Sequence, residues 1–355
     1  MEEAIKVKNI DELLGKFSEW LKGTGPNSDI VISTRIRLAR NIDKIPFTHW
    51  ADKTQRETVL SLIKKAAQDS NLLKGSLYLN MADLSELDRQ FLVERHLMSP
   101  EHAQDPEFKA LVIEPREMIS VMINEEDHLR LQVIQSGFNL RDAWILADKL
   151  DTELNQLLNY AYSIKWGYLT ACPTNTGTGM RASLMLHLPA LVMTRQINKA
   201  LQALTKLGIA VRGLYGEGTE ALGNFFQISN QVTLGRPEED ILGNFEKIMN
   251  QILTREAQAR RFLYMKEKAA LTDQISRAFG TLKSTRIITS SETINLMSSI
   301  RLGVNLGLLP QVDVKIINEL FIMVQPAHLQ KMENKILTPS QRDIRRADLI
   351  RGKLK

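Results

Sequence analysis

Four carboxylates, one thiol and a set of arginines carry the chemistry open to this chain. Asn124-Glu125-Glu126-Asp127-His128 puts three carboxylates in a row, and Gly216-Glu217-Gly218 sets a fourth between two glycines. A carboxylate flanked by glycines sits on backbone free to press against a ligand. Taken alone, the first segment reads as a solvated hairpin turn, and its spacing fits no standard metal set. No metal site is expected from these residues. Cys172 is the single cysteine, so it is either packing or chemistry. No histidine stands near it to make a nucleophilic pair.

The cations answer the carboxylates. In Asp29–Ala39, DIVISTRIRLA, a period of two places Val31, Ser33, Arg35 and Arg37 on one strand face. Two arginines side by side repel unless anions meet them. Arg130, Arg181 and Arg212 also fall in or beside strand patterns, so five guanidiniums could share one sheet face. Thr174–Arg181, TNTGTGMR, offers backbone N–H groups that could cradle phosphate, although most Gly/Thr turns between strands are only turns. It is neither a Walker loop nor a dinucleotide fingerprint. Five guanidiniums and an acidic pair on one surface suit a triphosphate facing a cationic acceptor.

The elements that must position these groups are legible in outline. Residues 1–22 carry apolar positions at helical spacing and stop at Gly23-Thr24-Gly25-Pro26. Strand patterns cover Leu111–Asn124, Leu129–Ser136, Tyr168–Cys172, Ala182–His187, Ile209–Leu214 and Asn224–Gln231. Helical patterns cover about 54–69, 83–96, 140–161, 190–206 and 238–268. The acidic link joins a hairpin, so the fold class is α+β, a mainly antiparallel sheet flanked by helices. From about Ala269 no strand pattern survives, and prolines 310, 326 and 339 sit near helix ends. The expected division is a lead at 1–23, an α+β region at 24–254 and a C-terminal all-α domain at 265–355. Leu302, Val304, Leu306, Leu308 and Leu309 fit either a homodimer surface or that domain's own core, and the core suits most of them.

Composition narrows the class. Of 355 residues, 43% are hydrophobic and 25% charged, as in an ordinary globular chain. No apolar run is long enough for a membrane span and the N-terminus lacks a signal-peptide pattern, so a cytoplasmic location is expected. The net charge is +5, of which +4 falls in the last fifteen residues, leaving the rest near neutral. That distribution speaks against a general nucleic-acid-binding face.

Four segments, STRIRLAR (Ser33–Arg40), NEEDHLR (Asn124–Arg130), CPTNTGTGMRAS (Cys172–Ser183) and VRGLYGEGTE (Val211–Glu220), resemble in content and order the signatures of the phosphagen (ATP:guanidino) kinases. The resemblance implies a glutamine-synthetase-like sheet and an ATP site. In the first segment it assigns Ser33, Thr34, Arg35, Ile36 and Arg37 to the nucleotide. Arg130 joins them, as do Arg181, Ala182, Ser183, Leu184 and Met185. The last segment adds Arg212, Gly213, Leu214, Tyr215 and Gly216. His96, in ERHLMS, is similar to the histidine at the nucleotide base. Glu126 and Glu217 match the two carboxylates that hold the acceptor guanidinium, and Cys172 matches the thiol lying against it. Mg²⁺ is implied, held mainly by ATP and water.

Departures from the pattern point to the acceptor. Only 32 residues precede Ser33, where small-guanidine kinases carry a helical domain, and Met185 and Tyr215 replace usual nucleotide-side residues. The C-terminal helical domain and its RDIRRA segment (Arg342–Ala347) resemble the bacterial protein-arginine kinases of this family. Protein substrates with exposed arginine follow from that resemblance. It also implies phosphoarginine binding at Arg342, Asp343 and Arg346, a zinc-binding activator, a stress-gene repressor as substrate and delivery of tagged proteins to a Clp-type protease. Alternatives are a free-arginine kinase and a non-catalytic phosphoarginine reader.

Overall fold

The computed structural model describes residues 10–213 and 222–354. Alternation of apolar and polar residues builds ten strands: β1 (Val31–Arg40), β2 (Leu77–Asn80), β3 (Ala110–Ile113), β4 (Ile119–Ile123), β5 (Leu129–Ser136), β6 (Tyr162–Ser163), β7 (Gly167–Tyr168), β8 (Met180–His187), β9 (Ile209–Gly213) and β10 (Phe225–Asn230). Eight form one sheet in the order β2-β3-β4-β5-β1-β8-β10-β9, every neighbouring pair antiparallel, while β6 and β7 form a separate hairpin. The arginine-bearing strand β1 is therefore interior, held by β5 on one side and β8 on the other.

One face of β1 is apolar. Ile36 and Leu38 are fully buried, under the helix Leu140–Leu158 that packs on β1 and β5. Among the helices are α1 (Lys53–Asp69), α2 (Glu86–Glu94), α3 (Pro100–Ala103) and α4 (Leu140–Leu158). Asp52 and Ser85 close capping boxes on α1 and α2, satisfying N–H groups that a helix start leaves open. Next come α5 (Pro189–Met193), α6 (Ile197–Lys206) and the long α7 (Glu238–Lys266). The C-terminal helices are α8 (Lys268–Ser284), α9 (Ser290–Asn305), α10 (Val314–Met323), α11 (Pro326–Met332) and α12 (Pro339–Lys353). Pro326 and Pro339 take the first turns of α11 and α12, where a missing N–H costs nothing.

Several local expectations are corrected. Over residues 10–22 the lead forms two short 3₁₀ turns, Ile10–Leu13 and Glu19–Leu21, rather than an amphipathic helix. Its apolar residues Trp20 and Leu21 dock on the body of the protein, so packing and not helicity set their spacing. The run 111–124 is two strands separated by a turn in which Glu117 has φ of 60°. The 190–206 pattern breaks at Arg195, also at positive φ. The strand expected through Cys172 ends at Tyr168, and β2 was not anticipated.

The core runs without interruption from the sheet into the C-terminal helices, and Leu302 and Leu309 belong to it, with Val304, Leu306 and Leu308 packed against it. Polar fasteners reinforce the junction. Arg301, fully buried, donates to the carbonyls of Ser28 (2.5 Å) and Asp29 (2.8 Å) and to Asn318 Oδ1 (3.2 Å). Glu94 accepts from the N–H groups of Ala327 (2.8 Å) and His328 (2.9 Å) at the start of α11. No helix among the described residues is long and apolar enough to cross a membrane.

Candidate active site

The polar face of β1 opens on a cavity of 1060 Å³. Register explains which groups it collects. Arg37 lies opposite Arg181 on β8 and Gln132 on β5; Arg35 lies opposite Ser183; Ser33 lies opposite Met185, which in turn faces Gln227 and, beyond it, Arg212. Ser33, Arg35, Arg37, Arg130, Ser183, Met185 and Arg212 line the cavity, as does His96. Thr34, Ile36, Ala182 and Leu184 are turned to the opposite face, where they are buried. None of the four is among the residues that line the cavity. Gly213 ends β9. Leu214, Tyr215, Gly216 and Glu217 lie outside the described residues.

The arginines crowd one another. Burial, with repulsion from Arg130, Arg212 and Arg181, lowers Arg35 to about 10, so it stays charged at neutral pH. The same causes push Arg37 well below the ordinary arginine value, Arg35 being its strongest repeller. The Arg37 Nε is buried without a hydrogen-bond partner. Such a site is paid for by an anion or it is costly.

The three consecutive carboxylates divide their work. Glu125 pairs with Arg130 (2.5 Å) and accepts from Ser99, and despite its burial these partners hold it below the usual carboxylate range. Asp127 is buried; its Oδ1 accepts from Asn41 Nδ2 (2.6 Å) and the Ala171 N–H (2.7 Å), which stitches the acidic link to the Cys172 loop. Glu126 alone is exposed. Partial desolvation and the neighbouring Asp127 charge raise its pKa, against a hydrogen bond with the Cys172 thiol. The thiol also meets Thr174 Oγ1 at 3.0 Å. A carboxyl with raised pKa beside a thiol at a cavity mouth is suited to proton transfer. Glu125 and Asp127 were missed as individuals, since adjacency in sequence does not say which way each side chain turns.

The phosphate-cradle reading of Thr174–Arg181 is overturned. The N–H groups of Asn175, Thr176, Gly177 and Thr178 are spent on the carbonyls of Cys172, Pro173, Tyr168 and Thr233, and that of Met180 on Thr178 Oγ1. Thr233 Oγ1 donates within 2.8 Å of the carbonyls of both Thr174 and Thr176. Gly177, at φ of 109°, lets the backbone come so close that an added Cβ would sit 2.3 Å from the Thr233 carbonyl. The loop is a rigid mount for Cys172 and Arg181.

The far end of the cavity is built by elements with no signature. Trp20 meets His96 edge to face at 5.3 Å, and burial lowers that histidine to about 4, keeping it neutral. From the C-terminal region, Asn318, Phe321, Ile322 and Gln325 line the same cavity, and Phe321 packs edge to face on Phe225 at 4.7 Å. His187, two residues past Met185, is buried against Ser298 Oγ (2.8 Å) and Arg301 (3.1 Å), away from the cavity lining. On α12, Arg346 is buried and donates to the carbonyls of Val324 and Ile288, both at 2.9 Å, and to Asp343. Arg342 and Asp343 are partly exposed on the same helix.

An arginine-lined sheet face that ends at a thiol and a carboxylate is the equipment of a guanidine phosphotransferase. Residues 58–259 match the ATP:guanido phosphotransferase C-terminal catalytic domain, and residues 268–355 match the protein-arginine kinase McsB C-terminal domain. The chain is 48% identical to the protein-arginine kinase of Halothermothrix orenii over 98% of this chain and 99% of that one. It is 49% identical to that of Symbiobacterium thermophilum over 95% and 96%. The chain belongs to the protein-arginine kinase family. Its fold is similar to that of the duplicated taurocyamine kinase of Schistosoma mansoni, with a TM-score of 0.61 and 26% identity over 72% of this chain and 36% of that one. A lombricine kinase shares the fold at a TM-score of 0.58 and 22% identity, over 72% of each chain.

Proposed function

We propose that this enzyme transfers the γ-phosphate of ATP to the guanidinium of arginine side chains in proteins. The observation that carries the reading is the exposed carboxylate Glu126 in the lining of a cavity that also holds Arg35, Arg37, Arg130 and Arg212. An arginine guanidinium is a poor nucleophile because it holds its proton tightly. Glu126 orients one nitrogen and takes its proton as the N–P bond forms and the bond from Pγ to the ADP oxygen breaks. Glu217 is assigned the second grip on the guanidinium by resemblance. The arginines hold the phosphates in line and neutralise charge on the transferring oxygens.

Mg²⁺, carried on ATP oxygens and water, would balance the phosphate charge. His96, Trp20, Met185 and Phe321 suit the base end. The exposure of Glu126 favours a bulky acceptor over an enclosed metabolite. By resemblance, Arg342, Asp343 and Arg346 form a regulatory phosphoarginine site. In it the partly exposed Arg342 and Asp343 would meet the ligand, and the buried Arg346, held on two carbonyls and Asp343, would brace them. A zinc-binding activator, a stress-gene repressor and a Clp-type protease complete the expected cytoplasmic setting, with phosphorylation marking proteins for degradation.

The test is to incubate the protein with ATP, Mg²⁺, an arginine-rich protein and free arginine, and to locate the phosphate by mass spectrometry at neutral pH. Phosphoarginine in the protein is expected, and Glu126→Gln should slow it by about 10²–10⁴. Phosphate confined to free arginine, or a Glu126→Gln enzyme near wild-type rate, would overturn the assignment.

A further inference from the structure

The cavity changes character along its length. On its β1 face Arg37, Arg35 and Ser33 follow one another, beside Arg181, Ser183 and Met185 on β8. A step of two residues along a strand advances about 7 Å. The acidic link lies beyond the Arg37 end, since β5 begins with Leu129 opposite Arg40. At the other end Met185 faces Gln227, and Phe225 comes two residues further along β10. Phe321 of α10 packs on Phe225, and Gln325 follows it by one helical turn; all five line the cavity. A nucleoside triphosphate with its phosphates on the arginines and its γ-phosphate toward Glu126 leaves its base at this uncharged end.

Gln325 stands at the joint between α10 and α11 and is only 7% exposed. Its Nε2 donates to the Phe321 carbonyl at 2.9 Å. Only the amide nitrogen can donate to a carbonyl, so this bond fixes the turn of the amide and leaves Oε1 as an acceptor. No donor among the described residues meets that oxygen. The joint is held from two sides. Glu94 accepts from the Ala327 and His328 N–H groups, and Arg346 donates to the Val324 carbonyl at 2.9 Å. An unspent acceptor on a fixed mount in a cavity wall is suited to a donor on a ligand.

We propose that Gln325 selects the nucleotide base, its Oε1 accepting the 6-amino group of adenine while Phe321 and Met185 pack on the ring. The proposal rests on reading this cavity as the ATP site and concerns its base end alone. A purine with a 6-oxo group would set one acceptor oxygen against another, with no proton to share. Turning the amide to offer Nε2 would break its bond to the Phe321 carbonyl, so the site cannot adapt without loss. The sheet thus supplies the phosphate contacts, and the C-terminal helices supply the choice of base.

The experiment measures binding of ADP and of inosine diphosphate, its 6-oxo counterpart, to the full chain by titration calorimetry. Inorganic tripolyphosphate serves as a ligand without a base. The wild type should bind ADP about 10–100-fold more tightly than inosine diphosphate, the scale of one satisfied against one opposed hydrogen bond. Gln325→Met, similar in size but without the amide, should bring that ratio below about threefold by weakening ADP, with tripolyphosphate bound as before. Phe321→Leu should weaken both nucleotides alike, by about fivefold. The wild-type ratio is itself a test should a variant not fold.

Equal affinity of the wild type for the two diphosphates overturns the proposal, as does a Gln325→Met protein that keeps the wild-type ratio. A Gln325→Met protein that loses tripolyphosphate together with ADP also overturns it, since the residue would then only support the fold. The acceptor reading fails separately. A protein that prefers ADP but forms no phosphoarginine from ATP defeats that reading and supports this one. Phosphoarginine formed equally well from ATP and inosine triphosphate defeats this one and leaves the acceptor reading intact.

Discussion

Two sets of arginines in this protein, one buried in the body and one half-buried along the cavity, differ in their partners, and that contrast locates function better than charge alone. Arg40 is saturated: it donates to both oxygens of Asp151, to the carbonyls of Ala39 (2.8 Å) and Thr178 (2.9 Å), and lies 3.5 Å over the Tyr168 ring. Arg95 is likewise satisfied by Glu117 (2.6 Å), Ser18 (3.0 Å) and the Lys16 carbonyl (3.1 Å). Arg35 and Arg37, on the same strand as Arg40, face other arginines instead. A fold keeps a saturated buried cation because removing it strands its partner. It tolerates a cluster that repels itself where a ligand completes the charge balance.

The comparison can be broken by exchanging the roles. Arg37→Ala should lower the transfer rate by about 10²–10³, the range for one lost electrostatic donor. The same change should leave the ATP-free protein as stable as wild type or slightly more so, since it relieves repulsion. It should also reduce the rise in melting temperature on adding ATP. A destabilised Arg37→Ala protein with normal ATP response would place Arg37 with the structural set.

Arg40→Leu should do the reverse. Asp151 would be left buried without its cation, at a cost of about 3–5 kcal/mol in denaturant unfolding. Activity per folded molecule should fall less than for Arg37→Ala, because Arg40 acts through the Thr178–Gly179 turn and not on phosphate. Equal stability of Arg40→Leu and wild type would remove the distinction.

The smallest effect concerns pH. Burial lowers His96 and His102 to about 4 and also lowers His128, His187 and His328. Their unfolded values lie near 6.5, so the unfolded chain takes up protons first as pH falls. The stability they contribute is complete above about 6.5 and is lost between there and about 4. The raised carboxyls Glu126 and Asp127 pull in the opposite direction. Denaturant midpoints measured at pH 7.5, 6 and 5 should decline, and a flat or rising series would show that the carboxyls outweigh the histidines.

The antiparallel α+β class, the strand that sets Arg35 and Arg37 on one face, and the acidic hairpin link all follow from periods of two and short-range turn chemistry, which a chain carries locally. So does the helical character after residue 269. What Glu125, Glu126 and Asp127 each do is not local: three adjacent carboxylates are chemically alike until Arg130, the Cys172 thiol and the Ala171 N–H select among them. The Gly/Thr loop misled for the same reason, since its N–H groups look available until Thr233 and Tyr168 occupy their neighbours. Nor does any periodicity bring Trp20 and Phe321, some three hundred residues apart, to one cavity. Sequence determined most of the strands and the residue types, because backbone preference and side-chain alternation act over a few positions. Tertiary structure decided which like charges stay unanswered and which carboxylate faces the acceptor, because those depend on partners that only packing supplies.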